Sequence, residues 1–278
     1  MDIPREIDPQ RLEQLLAAYG FSSWGVCRWE AVRDHLLPCR AACRLPPDAR
    51  RVLMVVFPYR FPEQPRQRRN LSRYACVEDY HTVGGEVLEQ AAGELTAAFS
   101  PYRFEPFVDN SPIPEVETAA RCGLGVVGDH GLLIHPRFGS WIFLGSIVTN
   151  APLPITEQEV GGCLHCGACV RACPGKCLPG RGRDTCLSGV TQRKGVLRAE
   201  EEELVRQGGL AWGCDRCQEV CPLNRTAETA PHPCFTSYQP YMTEGDLEDL
   251  TGKAYGWRGK AVPLRNLHIL EETETSDP

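Results

Sequence analysis

Leucines at positions 12, 15 and 16 recur at helical spacing across Arg11 to Ala18, predicting an amphipathic helix that Gly20 ends. Phe21 to Cys27 reads as a short strand. Arg51-Val-Leu-Met-Val-Val-Phe-Pro58 breaks the alternation: it is apolar without interruption and closes on proline, the pattern of a strand buried on both faces of its sheet. A basic stretch with Arg60, Arg66, Arg68, Arg69 and Arg73 follows and predicts a surface loop. Helical periodicity returns from Tyr80 to Phe99 through Val83, Val87, Leu88, Ala91 and Leu95. Phe104 to Val108 predicts a further strand, ending in the turn residues Asp109-Asn-Ser-Pro112. Glu115 to Cys122 predicts a helix stopped by Gly123, and Ile142 to Thr149 a strand terminated by Pro152 and Pro154.

From Gly161 to Asn224 hydrophobic periodicity gives way to cysteine: nine fall within 64 residues. The chain therefore divides into residues 1–158, a sheet-and-helix unit; 159–226, a unit organised around metal; and 227–278, a strap packed on the body. That strap has proline-rich turns at 231–240 and from Pro263 onward, and a short helix near Glu244 to Leu250. The whole is α+β. With 278 residues, 42% hydrophobic and 24% charged, the chain can bury a substantial core. Its N-terminus lacks an apolar signal core and no run approaches a membrane span, so the expectation is a cytoplasmic protein without membrane contact.

Fifteen cysteines without a secretion signal point to metal ligands and buried thiols rather than disulfides. Cys163-x₂-Cys166-x₂-Cys169-x₃-Cys173-Pro174 is a complete C-x₂-C-x₂-C-x₃-C-P run. In two-cluster ferredoxins its first three cysteines hold one cluster and the fourth reaches to the other. A second group, Cys214-x₂-Cys217-x₃-Cys221-Pro222, lacks one ligand, which Cys186 supplies. The expectation is two [4Fe–4S] clusters, one on Cys163, Cys166, Cys169 and Cys221, the other on Cys173, Cys186, Cys214 and Cys217. Structural zinc shares the C-x₂-C element but not the crossed ligands. Cys177 stands outside this scheme, as a buried or free thiol or as a substitute ligand. Two clusters with their thiolates move the formal charge from −6 to about −10, against indiscriminate nucleic-acid binding. Residues 171–198 reverse that balance locally. Arg171, Lys176, Arg181, Arg183, Arg193, Lys194 and Arg198 face one acid, Asp184. They form a candidate phosphate-binding patch, or they offset the clusters.

Cys186-Leu-Ser-Gly-Val-Thr-Gln-Arg-Lys-Gly195 and Trp212-Gly-Cys-Asp-Arg-Cys-Gln-Glu-Val-Cys-Pro222 resemble the epoxyqueuosine reductases. The resemblance extends through Ser72-Arg-Tyr-Ala-Cys-Val-Glu-Asp-Tyr-His81, Phe107-Val-Asp-Asn-Ser-Pro-Ile-Pro-Glu115, Ala119 to Gly128 and Phe138 to Gly145. It implies a nitroreductase-like cobalamin-binding domain followed by a two-cluster ferredoxin-like domain. It also implies a tRNA substrate, reduction of epoxyqueuosine to queuosine, and an external low-potential electron donor. Asp109 matches the family's catalytic acid; Glu115 and Tyr74 match positions near corrinoid or substrate. Two departures stand out. Gly128-Asp-His-Gly131 replaces Gly-Lys-Asn-Thr, reversing a charge at Asp129. The family's chains also continue into a helical-repeat domain, whereas here Pro278 follows Leu264-Arg-Asn266 by twelve residues.

Each of these residues also has a plainer reading. Asp109 suits proton donation if partly desolvated, and equally an Asx turn. Glu115 also suits a helix N-terminus. Gly123, Gly125 and Gly128 permit backbone approach to a planar cofactor, as glycines in turns also do. Ser140 and Trp141 border the corrinoid or belong to the core. His81, His130 and His135 are pocket or surface residues, with no cobalt-ligating histidine required. The rival functions are a corrinoid reductase of another electrophile and a non-enzymatic iron–sulfur carrier.

Overall fold

The computed structural model describes residues 7–62, 67–157, 162–179 and 183–274. Its larger unit is built on a four-stranded antiparallel sheet in the order β1 (Trp24–Arg28), β2 (Arg51–Pro58), β6 (Ile142–Thr149), β3 (Phe104–Val108). β2 pairs with β6 along its whole length, from Arg51 opposite Thr149 to Pro58 opposite Ile142. Alternate residues of β2 enter two different cores. Leu53, Val55 and Phe57 pack with Leu12, Leu15 and Leu16 of α1 (Pro9–Ala18) and with Leu88, Ala91 and Leu95 of α2 (Tyr80–Ala98). Val52, Met54 and Val56 pack with Cys27, Phe107 and Ala119, the last from α3 (Glu115–Arg121). Both faces being covered explains the uninterrupted apolar run, which an antiparallel sheet with one wet face would not show. Each such side chain, fully buried, contributes about 1.5–3 kcal/mol.

Local chemistry sets the helix starts. Asp8 caps α1 by accepting from the Gln10 amide at 3.0 Å, with Pro9 at the first helical position. Asp79 caps α2 by accepting from the His81 amide. Gly145 of β6 lets α2 approach, since a Cβ there would stand 3.0 Å from Phe57 and 3.1 Å from Leu88. A two-strand hairpin, β4 (Val126–Val127) and β5 (Leu133–Ile134), extends from this unit.

Among the described residues, the cysteine-rich unit contains four short helices, α4 (Ala168–Ala172), α5 (Leu187–Thr191), α6 (Ala199–Gly208) and α7 (Arg216–Glu219). Its apolar core is small: Leu187, Val190, Leu197, Val205 and Ile269. The 158/159 boundary expected from sequence lies outside the described residues. The two units are stitched by backbone bonds: Ser72 N–H donates to the Trp212 carbonyl at 2.8 Å, and Ala211 N–H to that of Asn70 at 2.7 Å. The strap closes over both. Asn70 exchanges side-chain bonds with the Met242 backbone, and Gln239 N–H donates to the Cys76 carbonyl. Two features of the strap differ from expectation. A 3₁₀ turn at Gly245–Leu247 stands where a short helix was expected, and α8 (Ala261–Glu274) is a full helix containing Pro263. Proline fits there because it occupies the first turn, where amides have no intrahelical partner. Among the described residues no helix is long and apolar enough to cross a membrane.

Candidate active site and cluster centres

Asp109 ends β3 with φ at 53°, in the left-handed region that aspartate tolerates better than most residues. This turn, followed by Ser111 N–H donating to the Asp109 carbonyl, brings its carboxylate over the start of α2. His81 Nε2 lies 2.9 Å from Asp109 Oδ2, and His81 Nδ1 lies 2.6 Å from Asp79 Oδ1. Asp79 therefore serves twice, as helix cap and as ring partner. The hydrogen bonds to Asp109 and then Asp79 raise the His81 pKa to about 9, against a smaller opposing effect of burial. At neutral pH the imidazole is charged and donates from both nitrogens.

Glu115 stands beside this array. Burial, then the Asp109 charge, pushes its carboxyl well above the usual range. Its Oε1 is buried without a hydrogen-bond partner. Tyr80, raised in pKa by burial and then by Asp109 and Glu115, stacks on Phe143 at 3.9 Å between centroids. Asp109 is itself 58% exposed, so desolvation, the condition expected from sequence, is not what equips it. Its partner His81 is. The sequence signal was Asp79-Tyr-His81 at a helix start.

The other expected pocket residues have different positions. The Tyr74 hydroxyl accepts from Gln192 Nε2 at 3.0 Å, and burial raises its pKa to about 12. It latches the sheet unit to α5. Ser140 Oγ donates to Gln218 Oε1 at 2.9 Å and accepts from Asn224 Nδ2 at 2.8 Å, so it also faces the cysteine-rich unit. Trp141 is buried, with its Nε1 unpartnered and the guanidinium of Arg73 4.9 Å from its ring centroid. The glycines are accounted for by protein packing. A Cβ on Gly125 would stand 2.3 Å from the Ile134 carbonyl oxygen, and one on Gly128 2.7 Å from the His130 ring. Gly123, at φ 79°, ends α3 in the left-handed region. Gly125 and Gly128 thereby shape the β4–β5 hairpin.

The hairpin lines a cavity with Cys163, Cys166, Cys169 and Cys221, to which it contributes Asp129, His130 and Ile134. Asp129 Oδ1 lies 2.8 Å from His165 Nδ1 at its rim. A second set of thiols gathers deeper. Cys173, Cys186 and Cys214 all act on Cys217, whose pKa burial first and then these neighbours raise to about 12. Cys214 is raised to about 11, by burial and then by Asp215, Cys186 and Cys173. Thiols crowded together in this way form a donor set whose mutual repulsion a cation relieves.

Between the two units lies a buried charge network. Asp215 is 1% exposed at its side chain and pairs with Arg69 at 2.5 Å. Its Oδ2 also accepts from the Arg73 amide at 2.9 Å. Glu219 joins both arginines, at 3.0 and 2.7 Å. Burial raises the Asp215 pKa, with Arg69 opposing most strongly. Arg60 donates to the Ala227 carbonyl, and Arg68 lies 5.2 Å from the Tyr241 ring centroid. The basic stretch expected as a surface loop instead holds protein together; Arg66 lies outside the described residues. In the 171–198 patch Arg193 and Arg198 pair with Glu201, while Arg171, Lys176, Lys194 and Arg198 remain exposed. Arg181 and the Arg183 side chain lie outside the described residues.

Residues 162–224 match the family model described as a 4Fe-4S double cluster binding domain, and residues 41–110 that described as epoxyqueuosine reductase QueG, DUF1730. The epoxyqueuosine reductase of Lactococcus garvieae is 34% identical over 241 residues, covering 79% of this chain and 68% of that protein. The Aliivibrio fischeri enzyme is 36% identical, covering 72% of this chain and 57% of the relative, so a large part of each relative lies beyond the match. The solved epoxyqueuosine reductase of Streptococcus thermophilus has a TM-score of 0.77 at 24% identity, covering 94% of this chain and 80% of that one. Another, solved with an epoxyqueuosine-modified tRNA-Tyr stem loop, has a TM-score of 0.79 at 23% identity, with the same coverage. By its sequence matches, its double-cluster domain and its fold, this chain belongs to the epoxyqueuosine reductase family.

Proposed function

We propose that the chain reduces the epoxide of epoxyqueuosine in tRNA to the alkene of queuosine, drawing electrons from an external low-potential donor. The observation that carries this reading is the Asp79–His81–Asp109 array beside buried Glu115, in a chain with a double-cluster domain. Overall, epoxide, two electrons and two protons give alkene and water. Cys163, Cys166, Cys169 and Cys221 would hold the outer [4Fe–4S] cluster; Cys173, Cys186, Cys214 and Cys217 would hold the inner one. The nitroreductase-like cobalamin domain of the family corresponds to the sheet unit. A corrinoid fits what lies near Asp109: the stacked rings of Tyr80 and Phe143 offer apolar surface, and the orphaned Glu115 Oε1 is a polar partner for its amide periphery. Trp141 Nε1, away from Asp109 and beside Arg73, is a buried donor without a partner. When bound, cobalamin supplies a cobalt centre that accumulates reducing power for the epoxide.

The chain's own residues manage the proton. His81 Nε2 holds it against Asp109 Oδ2, and Asp79 fixes the ring. As charge builds on the departing oxygen, Asp109 delivers a proton and His81 restores it. Burial of Glu115 disfavours a second charge beside Asp109. For the nucleic acid, the exposed Arg171, Lys176, Lys194 and Arg198 offer phosphate contacts, each adding about 0.7–0.9 to the magnitude of the log-affinity salt slope. The target base must leave its stack to reach Asp109.

The test is anaerobic turnover of epoxyqueuosine-containing tRNA by reconstituted protein with cobalamin and a strong reductant, followed by nucleoside analysis. The expected outcome is queuosine from the wild type and its loss in Asp109→Asn. Cobalamin-bound, two-cluster protein that forms no queuosine would redirect the assignment to reduction of a different electrophile.

A further inference from the structure

Cys177 lies in neither expected ligand set, yet its Sγ stands 3.4 Å from Cys173 Sγ. Cys186 is its other thiol neighbour. Cys177 is 7% exposed but belongs to none of the four hydrophobic clusters formed by the described residues. Burial among thiols rather than apolar side chains is not what packing alone produces. The backbone bends to achieve it: Lys176 takes φ 49°, unusual for a residue with a Cβ, and Lys176 N–H donates to the Cys173 carbonyl at 3.1 Å. This tight turn returns Cys177 to Cys173, whose sulfur also accepts from the Cys177 amide at 3.4 Å. Two sulfurs in contact address one corner of a cubane, since ligands of different corners stand apart.

We propose that Cys177 is an alternate ligand for the iron corner served by Cys173, giving the inner cluster five thiols for four corners. The proposal rests on the assignment of Cys173, Cys186, Cys214 and Cys217 as one ligand set. The exchange is balanced without a redox partner. The iron–sulfur bond to Cys173 breaks, that to Cys177 forms, and the Cys177 proton passes to Cys173 Sγ. No electron is transferred.

The experiment compares iron content and low-temperature EPR of the reduced full-length protein after anaerobic reconstitution. Wild type and Cys177→Ala should each carry about eight iron atoms. Cys173→Ala should also retain about eight, with an altered signal from one cluster. Cys217→Ala, which has no spare thiol at hand, should fall to about four, as should the Cys173→Ala/Cys177→Ala double variant. The outer cluster's unchanged signal reports folding in every variant. Cys173→Ala falling to about four, or giving a three-iron signal, overturns the proposal while leaving the ligand assignment intact. Wild type with fewer than two clusters overturns the assignment, and the proposal with it.

Discussion

His81 is where proton chemistry and stability meet. Its folded pKa, about 9, lies above its ordinary value of 6.5. The two carboxylate pairings therefore stabilise the fold fully below about pH 6.5 and are lost as pH rises through about 9. The same titration removes the proton that Asp109 draws upon. We expect kcat to fall on an alkaline limb near pH 9. His81→Gln should abolish that limb and lower kcat by about 10²-fold or more. A limb that persists unchanged in this variant would remove His81 from the proton path. Asp109 was legible in the sequence because it sits in a motif. Its partner's role was not, because the contact exists only once the end of β3 meets the start of α2, 28 positions apart in sequence. Ser140 and Tyr74 show the converse. Both belong to motifs, yet both are committed to hydrogen bonds across the joint between units.

β2, β3, β6 and α2 were legible almost to the residue, since these strands carry apolar runs bounded by proline or turn chemistry. By contrast, β1 is shifted from the expected Phe21–Cys27, and the β4–β5 hairpin was not foreseen. α8 was not, because Pro263 reads as a breaker unless one knows that it falls in a first turn. What fastens this helix is Asn266, fully buried, whose Nδ2 donates to the carbonyls of Thr191 and Ala211 at 2.7 Å each. Arg265 adds bonds to the Arg193 and Gly195 carbonyls. Asn266→Ala strands two buried acceptors, at about 1–3 kcal/mol each. Chemical denaturation should therefore show a loss of at least about 1 kcal/mol. A midpoint within error of wild type would mean that solvent reaches those carbonyls. The hairpin glycines illustrate the limit of reading by type: glycine permits close approach, but only the coordinates say that Ile134 and His130 are what approach.

At the scale of the molecule, the joint between the units combines an apolar cluster, in which Leu71 and Ala75 meet Trp212, with the buried Asp215 and its two arginines. Replacing it by alanine leaves Arg69 and Arg73, 18% and 13% exposed at their side chains, without their buried partner. Breaking such a pair costs about 3–5 kcal/mol. Asp215→Ala should lower thermal stability markedly and increase protease cleavage between the units; unchanged melting would refute the clamp. Neither partner was legible, because Asp215 looks like filler between Cys214 and Cys217, and the arginines read as part of a surface loop.

Asp215 is also 146 positions from Arg69, and Glu219 150 positions from it. Contacts so distant in sequence close large loops and slow the search for the native state. The sheet unit's strands all lie before residue 150, so they can assemble while the clamp's carboxylates have yet to emerge from the ribosome. Folding should thus pass through an intermediate with a protected sheet and an unprotected 69–76 segment, its arginines awaiting partners. Pulse-labelled hydrogen exchange during refolding measures this directly. Simultaneous protection of β6 and of the Ser72 amide would show one concerted step instead.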